Sequence, residues 1–315
     1  MRSAILYVFS GTGNTLIAAD MIAEALGVRG IQASVCRVKK PFSGLPDPND
    51  YDICGFGYPV HAFNTPQLFQ HFAKTLPTVL DKPAFVFKTS GEPFSLNNAS
   101  SRALVRILRK KGFRPGLDRH LLMPYNIMFR YPDALAKQMY VHTRGMANVI
   151  ADAVSKEAWR TLTYHPLAVL TTGLLRLQWF GAWINGPLIY ASKKACVGCG
   201  VCAANCPAAN IRMKNGRPRF SRHCSMCMSC AFRCPKDAVR PGILNLWRVN
   251  GAYPFAALEK DDSVPDRYVN AETQGYFKLF LPYYEQSYAE IETAACAREE
   301  KGAKESEVAQ ESMEQ

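Results

Sequence analysis

Ala4-Ile5-Leu6-Tyr7-Val8-Phe9 runs without a break into Ser10-Gly11-Thr12-Gly13-Asn14-Thr15, and an amphipathic pattern follows. The first run is apolar and of strand length. Ile17, Met21 and Ala25, with Ala18, Ile22 and Leu26, then recur at helical spacing, while Asp20 and Glu24 fall on the wet side. A strand, a short polar loop and a helix N-terminus make an anion site. Loop amides and the first helical N–H groups point outward, and the helix dipole adds partial positive charge. Hydroxyls at Ser10, Thr12 and Thr15 and the Asn14 amide add side-chain donors. Two familiar phosphate patterns fail here. A P-loop ends in Gly-Lys-Ser/Thr, which is absent. A dinucleotide fingerprint needs Gly or Ala where Leu16 stands, and an acid near the end of the second strand, where Lys39 and Lys40 sit. What remains is a terminal monophosphate held by hydroxyls, with a plain strand-to-helix turn as the competing reading.

The hexapeptide Ser-Gly-Thr-Gly-Asn-Thr resembles the FMN phosphate loop of flavodoxins, and the likeness can be followed over residues 1–160. Ile31 to Val38 alternates as a second strand, and Tyr51 to Gly57 reads as a third. Pro83 to Thr89 is a fourth, and a fifth is expected around His120 to Met123, after a helix with Arg102, Arg106 and Arg109 on one face. Strands alternating with helices predict an α/β fold with a parallel sheet covered on both faces. The resemblance makes it a flavodoxin-like, doubly wound, five-stranded sheet. In that strand order a ligand lies beyond the carboxyl ends of the strands, at the switch point. The resemblance therefore implies FMN, with Ser10, Gly11, Thr12, Gly13, Asn14 and Thr15 on its phosphate. Tyr58, Pro59, Val60, His61, Ala62, Phe63 and Asn64, with Thr89, Ser90, Gly91 and Glu92, would flank the isoalloxazine. The Pro59–Thr65 loop also resembles the ring-contacting loop of flavodoxin-like quinone reductases. His61 is the candidate catalytic residue, as a proton donor or a charge beside the ring, against a loop histidine bonded to backbone. Tyr58 and Phe63 are expected to stack on the ring, against core packing.

Eight of the cysteines fall into two identical runs. Cys196, Cys199, Cys202 and Cys206 precede Pro207, and Cys224, Cys227, Cys230 and Cys234 precede Pro235. Both read C-x2-C-x2-C-x3-C-P, which resembles bacterial ferredoxins carrying two [4Fe–4S] clusters. Three thiolates at two-residue intervals on a tight loop grip three irons of one cube, and the fourth points to the cube of the other run. One cluster is thus expected on Cys196, Cys199, Cys202 and Cys234, the other on Cys206, Cys224, Cys227 and Cys230. Paired zinc sites are the competing reading, but zinc gives no reason for a third cysteine at the same interval or for the prolines. Cys36 and Cys54 read as buried apolar side chains, and Cys296 as incidental.

The remaining sequence divides by composition. Residues 161–190 form an apolar helical connector, 191–242 a small α+β dicluster ferredoxin domain, 243–284 an aromatic-rich segment expected to pack over the domain interface, and 285–315 an acidic, solvated tail. Tyr125 to Tyr131 reads as a loop over the flavin. Pro166 to Pro187 approaches the length of a membrane span, but Arg176, Gln178 and Asn185 would lie in hydrocarbon, which favours a helix clamping the two domains over a membrane contact. No signal peptide precedes the first strand, and eight thiolates that must stay reduced point to the cytoplasm of an anaerobe. The formal charge of +12 falls to roughly +6 once two clusters and a phosphate, about −2 each, are counted. Its arginines and lysines lack aromatic interleaving, which excludes nucleic acid. Arg212, Lys214, Arg217, Arg219 and Arg222 are instead expected to dock an acidic redox partner, such as a ferredoxin or a reductase system. The layout resembles the flavodoxin–ferredoxin fusion proteins of anaerobes. The function this implies is electron transfer between clusters, FMN and a partner; reduction of a small substrate such as a quinone at the flavin is the alternative.

Overall fold

The computed structural model describes residues 1–296. Strands β1 (Arg2–Val8), β2 (Ile31–Arg37), β3 (Ile53–Pro59), β4 (Lys82–Ser90) and β5 (Phe113–Leu122) pair in parallel in the order β2-β1-β3-β4-β5. This is the flavodoxin-like order, with its switch point between β1 and β3. β1 and β3 are apolar on both faces because helices cover both. Helices α1 (Asn14–Gly27) and α4 (Asp133–Ser155) bury Ile22, Leu26, Met146 and Ile150 on one side. On the other, α2 (Gln67–Thr75) and α3 (Arg102–Lys110) bury Phe69, Phe72, Leu104 and Leu108. The fifth strand starts at Phe113, well before the expected His120. Its charged middle hid it: Asp118 is drawn into the sheet by Lys88 of β4, at 2.9 Å.

The cysteine-rich module repeats one backbone device. Helical turns Val201–Ala204 and Ser229–Phe232 each follow a left-handed residue, Gly200 (φ 75°) and Met228 (φ 58°). A hairpin of Ile211–Lys214 with Arg217–Phe220 and a short pairing of Tyr190–Ala191 with Val239–Arg240 complete it. Its own core is small, with Ile189, Cys202, Ile211, Ala231 and Val239.

The connector corrects one expectation. It forms α5 (Pro166–Leu174) and α6 (Gln178–Leu188), and it does touch both modules, but through its polar side chains. Asn64 Nδ2 donates to the Thr172 carbonyl (2.9 Å), Gln178 Nε2 to the His61 carbonyl (2.8 Å), and the buried Asn185 Nδ2 to the Pro241 carbonyl (3.1 Å). The apolar side chains face outward instead of into the interface.

The aromatic segment lies partly elsewhere than expected. Its start, with Leu244 and Trp247, borders the interface between the modules, but Tyr253, Phe255, Leu258, Val269, Phe280 and Tyr284 pack with Leu122, Tyr131, Leu135 and Met139 on the flavodoxin-like domain. Residues 281–296 continue as a helix, and Ile291 seats on Gly145 of α4, where a Cβ would meet it at 2.8 Å. The front of the acidic tail is therefore packed, because Tyr284, Tyr288 and Ile291 share one helical face. The rest of the tail lies outside the described residues.

Beneath this helix His142 of α4 is 1% exposed, with Nε2 2.6 Å from the Ser287 hydroxyl. Burial pushes its imidazole down to about 3. The unfolded chain accepts a proton that the folded one refuses. The stability this group contributes is therefore complete above its ordinary pKa of about 6.5, and is lost as pH falls toward the folded value. We expect His142→Gln to flatten the acid limb of stability by about 1.4 kcal/mol per pH unit between about pH 6 and about pH 4. Urea unfolding across that range reads the slope; an unchanged slope would place the proton uptake elsewhere.

Candidate functional site

Three loops leave the carboxyl ends of β1, β3 and β4 and converge on a cavity of about 350 Å³. Ser10, Gly11, Thr12, Asn14 and Thr15 line one end, with Ser10 and Thr15 almost fully buried. Gly13 lies behind the wall and caps α1. Its φ of 122° is one that side chains rarely adopt, and its amide donates to the Ser10 hydroxyl at 3.2 Å. The Thr15 and Thr89 hydroxyls meet at 2.7 Å, joining the first loop to the end of β4.

The β3 loop is a tight two-residue hairpin. His61 and Asn64 exchange backbone hydrogen bonds of 3.0 and 2.9 Å, and Ala62 and Phe63 both have positive φ. That conformation costs about 1–3 kcal/mol per residue. It persists because Asn64 is buried and ties the turn to α5. Pro59, Val60, His61, Ala62 and Phe63 line the cavity. Asn64 does not; it is the buttress behind them. Nor does Tyr58, which turns into the core, hydrogen-bonded to Ser100 at 2.9 Å and packed on Phe69. With both faces of β3 covered, its position at the strand end does not expose it. Burial drives His61 down to about 4, so near neutral pH it offers an uncharged imidazole and no cation.

Thr89, Ser90, Gly91 and Glu92 form the third wall. Tyr125 lies across Gly91, where a Cβ would meet its ring at 2.4 Å, and its hydroxyl donates to Glu92. The 124–128 loop thereby covers the site. Asn126 Nδ2 donates to Thr12 Oγ1 (3.1 Å) and Asn14 Oδ1 (3.0 Å), and Asn14 Nδ2 donates to the Pro124 carbonyl (2.6 Å). Asn126 Oδ1 is buried there without a partner.

Several wall residues are distant in sequence. Gln178, Leu244 and Trp247 close one side, and Met226 and Cys227 of the second cysteine run another. Gly11 abuts the Cys227 carbonyl so closely that a Cβ would lie 2.1 Å from it. The loop glycine is thus required by the second module as well as by an anion. Nearby, Lys40 N donates to the Pro207 carbonyl at 2.8 Å, and Arg37 Nη2 donates to the Ser10 carbonyl at 3.3 Å. Burial, then the Arg233 cation, pulls the Arg37 guanidinium below its ordinary value, while Cys227 raises it.

The eight cysteines line two separate cavities. Cys196, Cys199, Cys202 and Cys234 surround one small cavity; Cys206, Cys224, Cys227 and Cys230 surround another. Among the described residues no three His, Cys, Asp or Glu side chains converge on a point that suits one metal ion. Thiols set around a cavity suit a cube better than a zinc ion. Burial pushes the Cys227 thiol up to about 12 and raises those of Cys224 and Cys230. The model of the 4Fe-4S dicluster domain family matches residues 188–235. This segment is an iron–sulfur dicluster domain.

The dicluster domain thus borders a cavity whose other walls belong to the flavodoxin-like sheet. Solved structures similar to the chain include a flavodoxin of Streptococcus pneumoniae TIGR4 (16% identity, 49% of this chain and 99% of that one, TM-score 0.36). Another is a short-chain flavodoxin associated with a PDU bacterial microcompartment (16%, 50% and 99%, TM-score 0.38). A third is general stress protein 14 of Treponema denticola in complex with FMN (11%, 48% and 99%, TM-score 0.36). No curated protein matches the chain.

The donor set fits FMN: hydroxyls and helix N–H groups at one end for a phosphate, an orphaned Asn126 oxygen, and apolar walls at the other end for a ring. Thr12→Ala with Thr15→Ala should weaken FMN by about 1.5–3 kcal/mol for each bond lost to the charged group, and riboflavin should bind far more weakly than FMN to the parent protein. Fluorescence titration checks both, and equal affinity for the two flavins would exclude a phosphate loop. For the dicluster domain, Cys206→Ser should damage the cluster bordered by the second cysteine run. Electron paramagnetic resonance that showed the first-run cluster lost instead would reverse the assignment.

Proposed function

We propose that this chain is an electron-transfer flavo-iron–sulfur protein, passing electrons between two [4Fe–4S] clusters and FMN and to or from a redox partner. When bound, these groups supply single-electron carriers beside one that also works in pairs. The observation that carries the reading is the shared wall: Cys227 and Met226 line the same cavity as Ser10 to Thr15, and the Cys227 carbonyl rests on Gly11.

The residues assign an order to the two cysteine sets. Cys206 and Cys227 pack against the core beneath β1 and β3, so theirs is the proximal site. Cys199 is exposed, and beside it Val197 and Met213 present the distal site to solvent. Arg212, Lys214 and Arg217 stand on the hairpin at that edge, all exposed, which suits an acidic partner. The Arg37 cation near Cys227 favours added electrons at the proximal site. The covering of the cavity by Tyr125 and Asn126 supports a relay over turnover of a small substrate such as a quinone.

Photoreduction of the clusters should be followed by flavin reduction at a rate independent of protein concentration. Gly11→Ala, which forces the Cys227 carbonyl away, should slow that step in the molecules that retain both cofactors, as counted by their flavin and cluster absorbance. A rate proportional to concentration would mean transfer between molecules, and rapid steady-state quinone reduction would favour the enzyme reading.

A further inference from the structure

The outward face of the connector has no counterpart among the described residues. Leu167, Leu170, Leu174, Leu177, Phe180, Ile184 and Leu188 follow one another at intervals of three or four residues, so they form one stripe along α5 and α6. All are exposed, Leu177 and Phe180 at 69%. The run Pro166–Leu188 is long and apolar enough to cross a bilayer by length and composition. The polar residues that argue against hydrocarbon are on the opposite side. Gln178 and Asn185 are bonded to the His61 and Pro241 carbonyls, and Arg176 reaches Asn64 at 3.4 Å. Those bonds fix the helices flat against the protein, so the stripe can lie on a bilayer but not cross it.

Charge identifies the occupant. From Ala158 to Lys236 the chain has no Asp or Glu, yet it carries eleven Lys and Arg, nearly the whole +12 of the protein. Two of these arginines are stacked on tryptophans of α6: Arg222 over Trp183 at 4.1 Å and Arg176 over Trp179 at 5.6 Å. An apolar stripe with tryptophans at its flank and arginines stacked on them matches the boundary between acyl chains and anionic headgroups. A soluble acidic protein would meet the charge but leave the leucines without a partner.

We propose that α5 and α6 dock this protein on the surface of an anionic lipid bilayer, with the stripe buried at the headgroup boundary. The exposed Ile243, Leu246 and Trp247 extend the contact, since the Ile243 amide donates to Asn185 of α6 at 2.7 Å. Trp247 also lines the redox cavity, which places that part of its wall at the membrane-facing side.

The test is flotation of the holoprotein with vesicles of phosphatidylcholine alone or mixed equally with phosphatidylglycerol. The parent protein should float with the mixed vesicles, release at high salt and on carbonate treatment, and float poorly with phosphatidylcholine. The variant Leu170→Glu/Leu177→Glu/Phe180→Glu changes only exposed side chains. It should keep its cluster and flavin absorbance and lose vesicle binding by about tenfold or more. Failure of the parent to float, or binding unchanged in the variant, would overturn the proposal. So would a parent dimer that ignores vesicles and dissociates in the variant, because a second copy would then cover the stripe. Resistance to carbonate would mean that the segment crosses the bilayer, and the surface placement would be wrong.

Discussion

The contact between the Gly11 backbone and the Cys227 carbonyl is the constraint on which this architecture turns. A flavodoxin-like sheet presents its first loop at the switch point as an anion site, and that site would exist without any second module. Here the loop has two tasks, because its back is the seat of a cysteine-bearing turn. Any side chain at position 11 would move one against the other. The separation of the two redox sites is therefore set by van der Waals contact between main chains, the stiffest kind of spacer a protein has.

Around that seat the walls are held by side-chain hydrogen bonds made within and behind them. Asn64 holds a left-handed hairpin in place, Thr15 and Thr89 tie two loops, and Asn126 reaches across to Thr12 and Asn14. Each is buried or nearly so, and each joins segments far apart in sequence. The cavity is thus organised before a ligand enters, which lowers the ordering cost of binding.

Much of this was legible in the sequence where the chemistry is local. The Ser10–Thr15 loop, the strands on either side of the switch point and the duplicated cysteine spacing are short patterns with one physical meaning each. What escaped was set by tertiary context. Trp247 and Leu244 enter the cavity wall from more than two hundred residues beyond the phosphate loop, and no periodicity announces that. Tyr58 looked like a ring-stacking residue because it ends a strand, but helices cover both faces there. The connector was read as an interface filler because it is apolar; its few polar residues make the interface, and its apolar ones face out. Acidic composition after Tyr284 reads as solvated, whereas Tyr288 and Ile291 there share a packed helical face.

The chain leaves the flavodoxin-like domain at the end of α4 and comes back to it. On the way out, Arg160 N donates to the Gly116 carbonyl. On the return, Arg248–Val249 pairs with Ile127–Met128 and Tyr253 bonds Tyr131. The iron–sulfur module is therefore a guest held by both of its ends. A module on one flexible linker samples its site at an effective concentration on the order of millimolar. A second anchor confines the guest further, because the segment between two fixed points cannot swing as a free arm does. Separation of the two redox sites then requires breaking the host's own packing at Tyr131 and α4, so their proximity is as durable as the fold that carries them.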